Sequence, residues 1–431
     1  MNLTTESLEH KARYLRTLPA IRDRCSQVFE LAKQGKLEYF DYHPEKEADA
    51  AKFCSGIVTR DFGTKFDTIP PHGRWRHAEP GGSRISPLLE KWSSEGIGKQ
   101  EQGKRLVDFF VVSVLLDAGA GKDWAYHEKE TNAKYSRSEG LAIASFHMFE
   151  DGTFSSDPKQ PYRVDASALS KIEPDVLASG MQVSESNPLV GLEGRASLLK
   201  NLSSALLAST ELFGKEGRPG NSIDFLDAQS KLEGSTKNVH ISALWHALGD
   251  GLNSIWPASR TKLAGVSLGD VWPCGALKSA SSGEGDNLVP FHKLTQWMTY
   301  SIVEAIEHTT DLRFTGVEDM TGLPEYRNGG LFLDLGVLTL KPNALPVDAK
   351  SGLPRASAAD PAVVEWRALT VILLDRIADA IRANFGLTPQ QLTLPQILES
   401  ATWKGGREIA KQKRPETGGP PFELESDGTI F

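Results

Sequence analysis

Residues 290–306 read PFHKLTQWMTYSIVEAI. Phe291, Leu294, Trp297, Met298, Ile302, Ala305 and Ile306 recur at steps of three and four, which places them on one face of an α-helix. Pro290 suits the first helical position, where a missing N–H costs nothing. The same period recurs along the chain. Residues 361–385 show it with Val364, Ala368, Val371, Ile372, Ile377 and Ile381, and residues 194–208 with Leu198, Leu199, Leu202 and Leu206. Residues 239–256 form a further helical stretch closed by Pro257. Upstream, Leu15, Leu18, Ile21, Cys25, Val28, Phe29 and Leu31 predict a helical span over 8–36, kinked or broken at Pro19. Residues 48–59, 85–92 and 405–413 read as shorter helices. Two apolar stretches, 106–116 and 331–340, fit helix or strand equally, because periodicity alone does not separate a buried helix from a buried strand. The expected fold class is mainly α with few short strands. A long Gly-, Ser-, Asp- and Pro-bearing loop over 151–163 divides an N-terminal helical region with pocket-lining loops, 1–150, from a second helical region, 151–431. The two are expected to pack as one continuous unit.

Composition narrows the function classes. The chain has 431 residues, enough for one large or two medium domains, and 39% hydrophobic with 24% charged residues is ordinary globular usage. A formal net charge of −8 disfavours non-specific binding to nucleic acid or an anionic membrane. Cys25, Cys54 and Cys274 are an odd set without CxxC spacing, which argues against a disulfide framework or a cysteine zinc site. The first residues carry no apolar signal-like run, and the longest apolar stretch is too short to span a bilayer. The expectation is a soluble cytoplasmic protein.

Several local patterns bear on chemistry. Gly265-Val266-Ser267-Leu268-Gly269 fits the GxSxG spacing of a nucleophile elbow, which needs a strand before and a helix after it. A polar stretch precedes it and Pro273 follows closely, so the competing reading is a loop whose Ser or Asp caps a helix. Gly119-Ala120-Gly121-Lys122 is a poor phosphate loop: Leu116 stands where the first Gly belongs, and Asp123 replaces the magnesium-holding Ser or Thr. The residues at the end of that apolar element, Asp117, Lys122, Asp123 and Trp124, line a pocket or form a simple turn.

The stretch 67–77 is read as a loop. Its His72 and His77 flank Arg74 and Arg76, a set better suited to an anion than to a cation, with Trp75 available for stacking. Intramolecular ion pairing is the alternative. Thr321 to Gly330 packs a carboxylate, a phenol and a guanidinium into Glu325-Tyr326-Arg327. Pro324 suits a first helical turn, which would set Glu325 at the positive end of the dipole and favour its ionised form. A structural N-terminal Glu is the alternative. Lys293 and Gln296 are three apart and share a helix face.

Taken together, Ile69 to His77, Leu115 to Gly121, Val289 to Trp297, Leu323 to Gly330 and the closing Ser426-Asp427-Gly428-Thr429 resemble the uracil catabolism protein 4 family. The resemblance covers most of the chain and implies a step in nitrogen salvage from uracil. Met320 to Arg327 followed by Leu335-Gly336-Val337-Leu338 is more distantly similar to the queuosine 5′-phosphate glycohydrolases. Those proteins carry Asp where this chain has Glu325, and Arg where it has Leu294. Lys293 and Gln296, and Glu365 with Arg367, match further positions of that family. That likeness implies a helical, DNA-glycosylase-like architecture and cleavage of a ribosyl C–N bond.

The resulting expectation is a metal-independent N-ribosyl hydrolase, without cofactor, that releases urea from ribosylurea 5′-phosphate or a related ring-opened nucleotide. Glu325 is the first catalytic candidate, with Asp117 and Asp319 behind it. Arg74, Arg76 and Lys293 are expected on the phosphate. Arg327 orients Glu325, Trp75 or Trp124 covers the sugar or urea, and His72 and Tyr326 complete the binding set. The expected partners are this small ribosyl phosphate and other uracil-pathway enzymes, with no nucleic acid and no membrane. The alternatives are an amidohydrolase acting on an opened pyrimidine and a non-catalytic partner of the ring-opening enzyme.

Overall fold

The period read over 290–306 becomes helix Lys293–Thr309 in the computed structural model, which describes residues 7–117, 119–121, 123–279 and 283–425. The helix starts later than Pro290 suggests. Pro290 instead ends strand Leu288–Pro290, which pairs antiparallel with Val271–Pro273 in the register Val271 to Pro290. The delay has its cause in Asp270, at the mouth of that ladder and 23 positions before Lys293. Its main-chain oxygen accepts from the N–H groups of Phe291 (2.9 Å) and His292 (3.3 Å), and its Oδ2 accepts from the Lys293 N–H (2.9 Å). His292 adopts a left-handed φ of 49° to make the corner, a conformation that an L-residue holds only when its surroundings enforce it.

The expected class holds: the protein is mainly α, and its strands form two-stranded ladders and one three-stranded sheet among the described residues. Residues 361–385 form helix Pro361–Phe385 and residues 194–208 lie in helix Leu192–Ala208. The span 8–36 is two helices, Leu8–Tyr14 and Leu18–Lys33; the expected break falls just before Pro19, which sits in the first turn of the second. The two ambiguous stretches resolve differently. Residues 106–116 belong to helix Lys99–Leu115, apolar all round in its later turns and buried all round. Residues 331–340 are helix Tyr326–Asp334 followed by strand Leu338–Leu340. The helical reading of 239–256 is shortened to Ile241–Gly249 and the 3-10 turn Asn253–Ile255. Residues 74–78 form a short helix, Arg74–Ala78, where a loop was expected.

The contacts divide the chain into two units that interleave in sequence. The first comprises residues 1–72, 259–296 and 318–431, and the second residues 73–258 and 297–317. The sequence-based cut at 150 falls inside the second unit, at the last residue of helix Arg137–Glu150. In the first unit, helix Pro361–Phe385 packs against Leu18–Lys33 and Glu47–Phe62, and helix Tyr326–Asp334 packs against Trp403–Lys413. That last approach is very close, as a Cβ on Gly406 would lie 2.1 Å from the Arg327 carbonyl oxygen; helix Pro361–Phe385 comes near too, since a Cβ on Gly329 would meet the Trp366 indole at 2.7 Å. In the second unit, helix Lys99–Leu115 packs on Arg137–Glu150, which in turn carries helix Arg74–Ala78. No helix among the described residues is long and apolar enough to cross a membrane. All three cysteines are buried and unbridged.

Candidate functional site

The first unit gathers Glu325, Lys293, Asp270 and Arg367. Asp270 and Arg367 form a bidentate ion pair with both distances at 2.8 Å, and each side chain is at most 1% exposed. The Trp272 indole N–H donates to Asp270 Oδ1 at 2.7 Å, so every carboxylate oxygen has a donor. Burial alone would raise the Asp270 pKa. The Arg367 guanidinium, with these donors, overrides it and holds the carboxyl well below the usual carboxylate range. Arg367 also donates from Nε to the Pro324 carbonyl oxygen at 3.1 Å and lies over the Phe291 ring, 4.2 Å from its centroid. One guanidinium therefore ties the start of the Lys293 helix to the turn that delivers Glu325. Gln296 adds a second tie. Its Nε2 donates to Thr321 Oγ1 and its Oε1 accepts from the Thr321 N–H, both at 2.8 Å.

Glu325 is the N-cap of helix Tyr326–Asp334. Pro324 precedes the cap instead of occupying the first turn. The Glu325 carboxylate accepts from the N–H groups of Arg327 (Oε2, 2.8 Å) and Asn328 (Oε1, 2.7 Å). The side chain is buried, and burial pushes its pKa above the ordinary value, opposed by those two N–H groups and by the charges of Lys293 and Arg327. The expected preference for the ionised form is thus outweighed by desolvation, although the dipole acts in the expected direction. Arg327 reaches Glu325 through its backbone. Its guanidinium donates to the Gly418 carbonyl oxygen at 2.7 Å and lies over the Tyr326 ring. Asn328 is anchored by Nδ2 to the Leu323 carbonyl oxygen (3.0 Å), and its Oδ1 accepts from the Thr402 hydroxyl (2.9 Å). This arrangement presents a fixed carboxylate, with a cation in electrostatic reach, in a dry setting.

His72 also belongs to the first unit. Its Nδ1 lies 2.6 Å from Glu399 Oε2, and its ring packs on Trp403. Asp319 is exposed, and its main-chain oxygen accepts from Arg22 at 2.9 Å. Exposure in water weakens any stabilisation of charge by its carboxylate, which argues against its catalytic candidacy.

The second unit holds another cluster. Arg74 is fully buried. Its Nη1 meets Asp117 Oδ2 at 2.8 Å and Ser138 Oγ at 3.0 Å, and its Nε donates to Ser113 Oγ at 2.9 Å; Nη2 has no hydrogen-bond partner among the described residues. Ser138 Oγ lies 2.6 Å from Asp117 and 2.8 Å from His77 Nδ1. Burial lowers the Arg74 pKa and the Asp117 charge opposes it. Arg76 pairs with Glu304, and Trp75 is buried against Phe110 and His308. Trp124 is 1% exposed and donates its indole N–H to the Met181 carbonyl oxygen at 3.0 Å, a packed position rather than a surface for a ligand.

Two other patterns are settled by this geometry. Ser267 lies in a two-residue strand paired with Lys262–Leu263, with no helix after it, so the elbow context is missing. A metal-like grouping of Glu128, Glu130 and His147 brings ligand atoms within 4.8 Å of one another. Arg84 already holds both Glu128 oxygens at 2.6 Å, which makes the group an ion-pair network.

Residues 14–431 match the family model described as "Protein of unknown function (DUF1688)". Uracil catabolism protein 4 of Lachancea kluyveri is 42% identical over 442 residues, covering 99% of this chain and 100% of that protein. The chain belongs to this family. A second relative, protein urg3 of Schizosaccharomyces pombe, is 42% identical over 422 residues, covering 97% of this chain and 98% of its own length. The family match includes every segment that carried the sequence resemblance. Of these, Ala118 and Ser426 to Thr429 lie outside the described residues, as does Lys122 of the phosphate-loop-like stretch.

Within the family framework, Asp270 is the residue that sequence reasoning missed. It directly follows the GxSxG segment, where a capping Ser or Asp was the competing reading. Asp270 does cap a helix, but the one beginning at Lys293, 23 positions on. Asn328 and Glu399 were missed as well. The glycines after Asn328 advertised close packing and gave no sign of its side-chain links, and nothing local singles out Glu399.

Proposed function

We propose that the protein acts in uracil catabolism as an N-ribosyl hydrolase, releasing urea from ribosylurea 5′-phosphate or a closely related ring-opened nucleotide. The near-full-length relative named for uracil catabolism supports the pathway. The observation that carries the chemistry is Glu325: a buried carboxylate pinned by two backbone N–H groups, with Lys293 in electrostatic reach.

Breaking the anomeric C–N bond develops positive charge at C1′ and the ring oxygen. A fixed carboxylate in a dry site stabilises that charge without reorganising. Glu325 fills this role and orients the attacking water. Its raised pKa also suits the acceptance of a proton from that water. Lys293 binds the 5′-phosphate, helped by Arg327. Arg74 and Arg76, the other expected phosphate ligands, already face Asp117 and Glu304. Asp117 in turn serves as the counter-charge of Arg74. Protonation of the departing urea nitrogen is enough to let it leave.

Incubation with synthetic ribosylurea, with and without its 5′-phosphate, tests this reading. Urea and ribose 5-phosphate in equal amounts are expected from the phosphorylated compound. Absence of ribose 5-phosphate overturns it.

One observation favours a second reading. Ser138, His77 and Asp117 bring a hydroxyl, an imidazole and a carboxylate within hydrogen-bond reach, the parts of an amide-cleaving centre. An amidohydrolase would cut the opened pyrimidine and leave the ribosyl bond intact, so the same product analysis separates the two.

A further inference from the structure

Resting on the N-ribosyl hydrolase reading, we propose that Glu399 is the general acid that protonates the departing nitrogen, with His72 as its positioning partner. The reading so far supplies a carboxylate for the developing charge and leaves the leaving group without a proton source. Glu325 cannot serve both needs in one step, because charge stabilisation requires it ionised.

Residues 394–413 form a continuous helical run interrupted by a π-helical turn over Leu398–Thr402. Such turns are rare, insert a residue into the helical repeat and re-aim the side chains they carry, and they concentrate at functional sites. Glu399 sits on this turn. Thr402, on the same turn, donates to Asn328 Oδ1 at 2.9 Å, and the Asn328 N–H caps Glu325 at 2.7 Å. The turn is thus linked through one side chain to the group that fixes Glu325, and helix Tyr326–Asp334 packs on it within the same unit.

His72 is held on three sides. Its N–H donates to the Pro395 carbonyl oxygen at 2.9 Å, its Nδ1 meets Glu399 Oε2 at 2.6 Å, and its ring lies 5.3 Å from that of Trp403. The His72 side chain is 3% exposed and that of Glu399 17%, so Glu399 is the more accessible member of the pair. Desolvating such a pair roughly cancels its mutual attraction. Stability alone therefore gives little reason for it.

In the step, the C1′–N bond breaks and its electron pair stays on nitrogen. The proton shared by Glu399 and His72 passes from Glu399 to that nitrogen. Water adds to C1′, its proton goes to Glu325, and exchange with solvent restores both groups.

The test compares two leaving groups on the full-length protein: urea, which must be protonated, and 4-nitrophenolate, which leaves without a proton, each on ribose 5-phosphate. Glu399→Gln is expected to slow ribosylurea phosphate by about 10²–10⁴-fold while changing the nitrophenyl riboside phosphate far less. His72→Asn should give the same split in smaller measure, and it decides the matter if Glu399→Gln does not fold. Equal losses on both substrates, or no loss on either, overturn the assignment of Glu399 and leave the hydrolase reading standing. A wild-type protein that cleaves neither substrate overturns both.

Discussion

In the second unit the Arg74 guanidinium faces Asp117 at 2.8 Å, and hydroxyls of Ser113 and Ser138 fill in around it. In the first unit Arg367 faces Asp270 at the same distance, and the pair is wired to different places. Besides the Trp272 indole, it bonds the Lys293 N–H and the carbonyl of Pro324, two points that set where Lys293 and Glu325 stand. The ingredients are alike and the wiring differs. The outer bonds of Arg74 tie three helices together, Arg74–Ala78, Lys99–Leu115 and Arg137–Glu150, and so lock a fold. Those of Asp270 and Arg367 reach the start of the Lys293 helix and the turn before Glu325, and so align other charges. Sequence composition does not distinguish the two, and the residues with the more obvious motif, around Arg74, belong to the pair that joins helices.

That contrast can be broken most severely at Asp270. Asp270→Ala leaves Arg367 buried and unpaired and is expected to cost about 3–5 kcal/mol in urea denaturation. Turnover by the protein that remains folded should fall as well, since the Lys293 helix loses its cap. Arg74→Met is the matching experiment in the second unit. A stability loss of the same order, about 3–5 kcal/mol, should come with an unchanged kcat and an unchanged KM for the phosphorylated substrate. A raised KM would return Arg74 to the phosphate and erase the distinction drawn here.

Lys293→Ala acts first on binding of the phosphate. The KM for ribosylurea 5′-phosphate is expected to rise about tenfold or more, the worth of one charge-assisted contact. The KM for the unphosphorylated compound should stay put, and equal changes in both would remove the phosphate role.

The smallest effect is on pH-dependent stability. Burial raises the Glu325 pKa above its ordinary 4.5. Just above that pH the folded state binds more protons than the unfolded one, so this group makes stability fall as pH rises. Glu325→Gln should remove that fall when denaturation is followed between about pH 4.5 and 7. Asp270 works in the opposite sense: its pKa is depressed, so its stabilisation is present above the ordinary Asp value and lost as the solution is acidified below it. An identical slope in Glu325→Gln and wild type would mean that the carboxyl is not desolvated.

The helices were legible because each long one carries its own apolar period: Pro361–Phe385 was read to the residue, and Leu192–Ala208 nearly so. Errors arose where a distant partner overrode local preference. Pro290 looks like a helix start and becomes a strand end, because Asp270 bonds the next three residues before the helix can form. Arg74 to His77 look like a cationic loop and become a short buried helix, because the ion partners Asp117 and Glu304 lie far along the chain. Glu325 was picked out correctly as a carboxylate at a helix start. Its burial, which reverses the expected pKa direction, depends on tertiary packing that no local pattern encodes. Glu399 was invisible for the same reason, since a π turn has no sequence signature of its own.

The most direct test follows ribose 5-phosphate and urea during a single turnover of ribosylurea 5′-phosphate by wild-type protein and Glu325→Gln side by side. Wild type should release one of each per active site, while Glu325→Gln binds the compound and releases neither on that timescale. Release by Glu325→Gln at a near-normal rate would contradict the account.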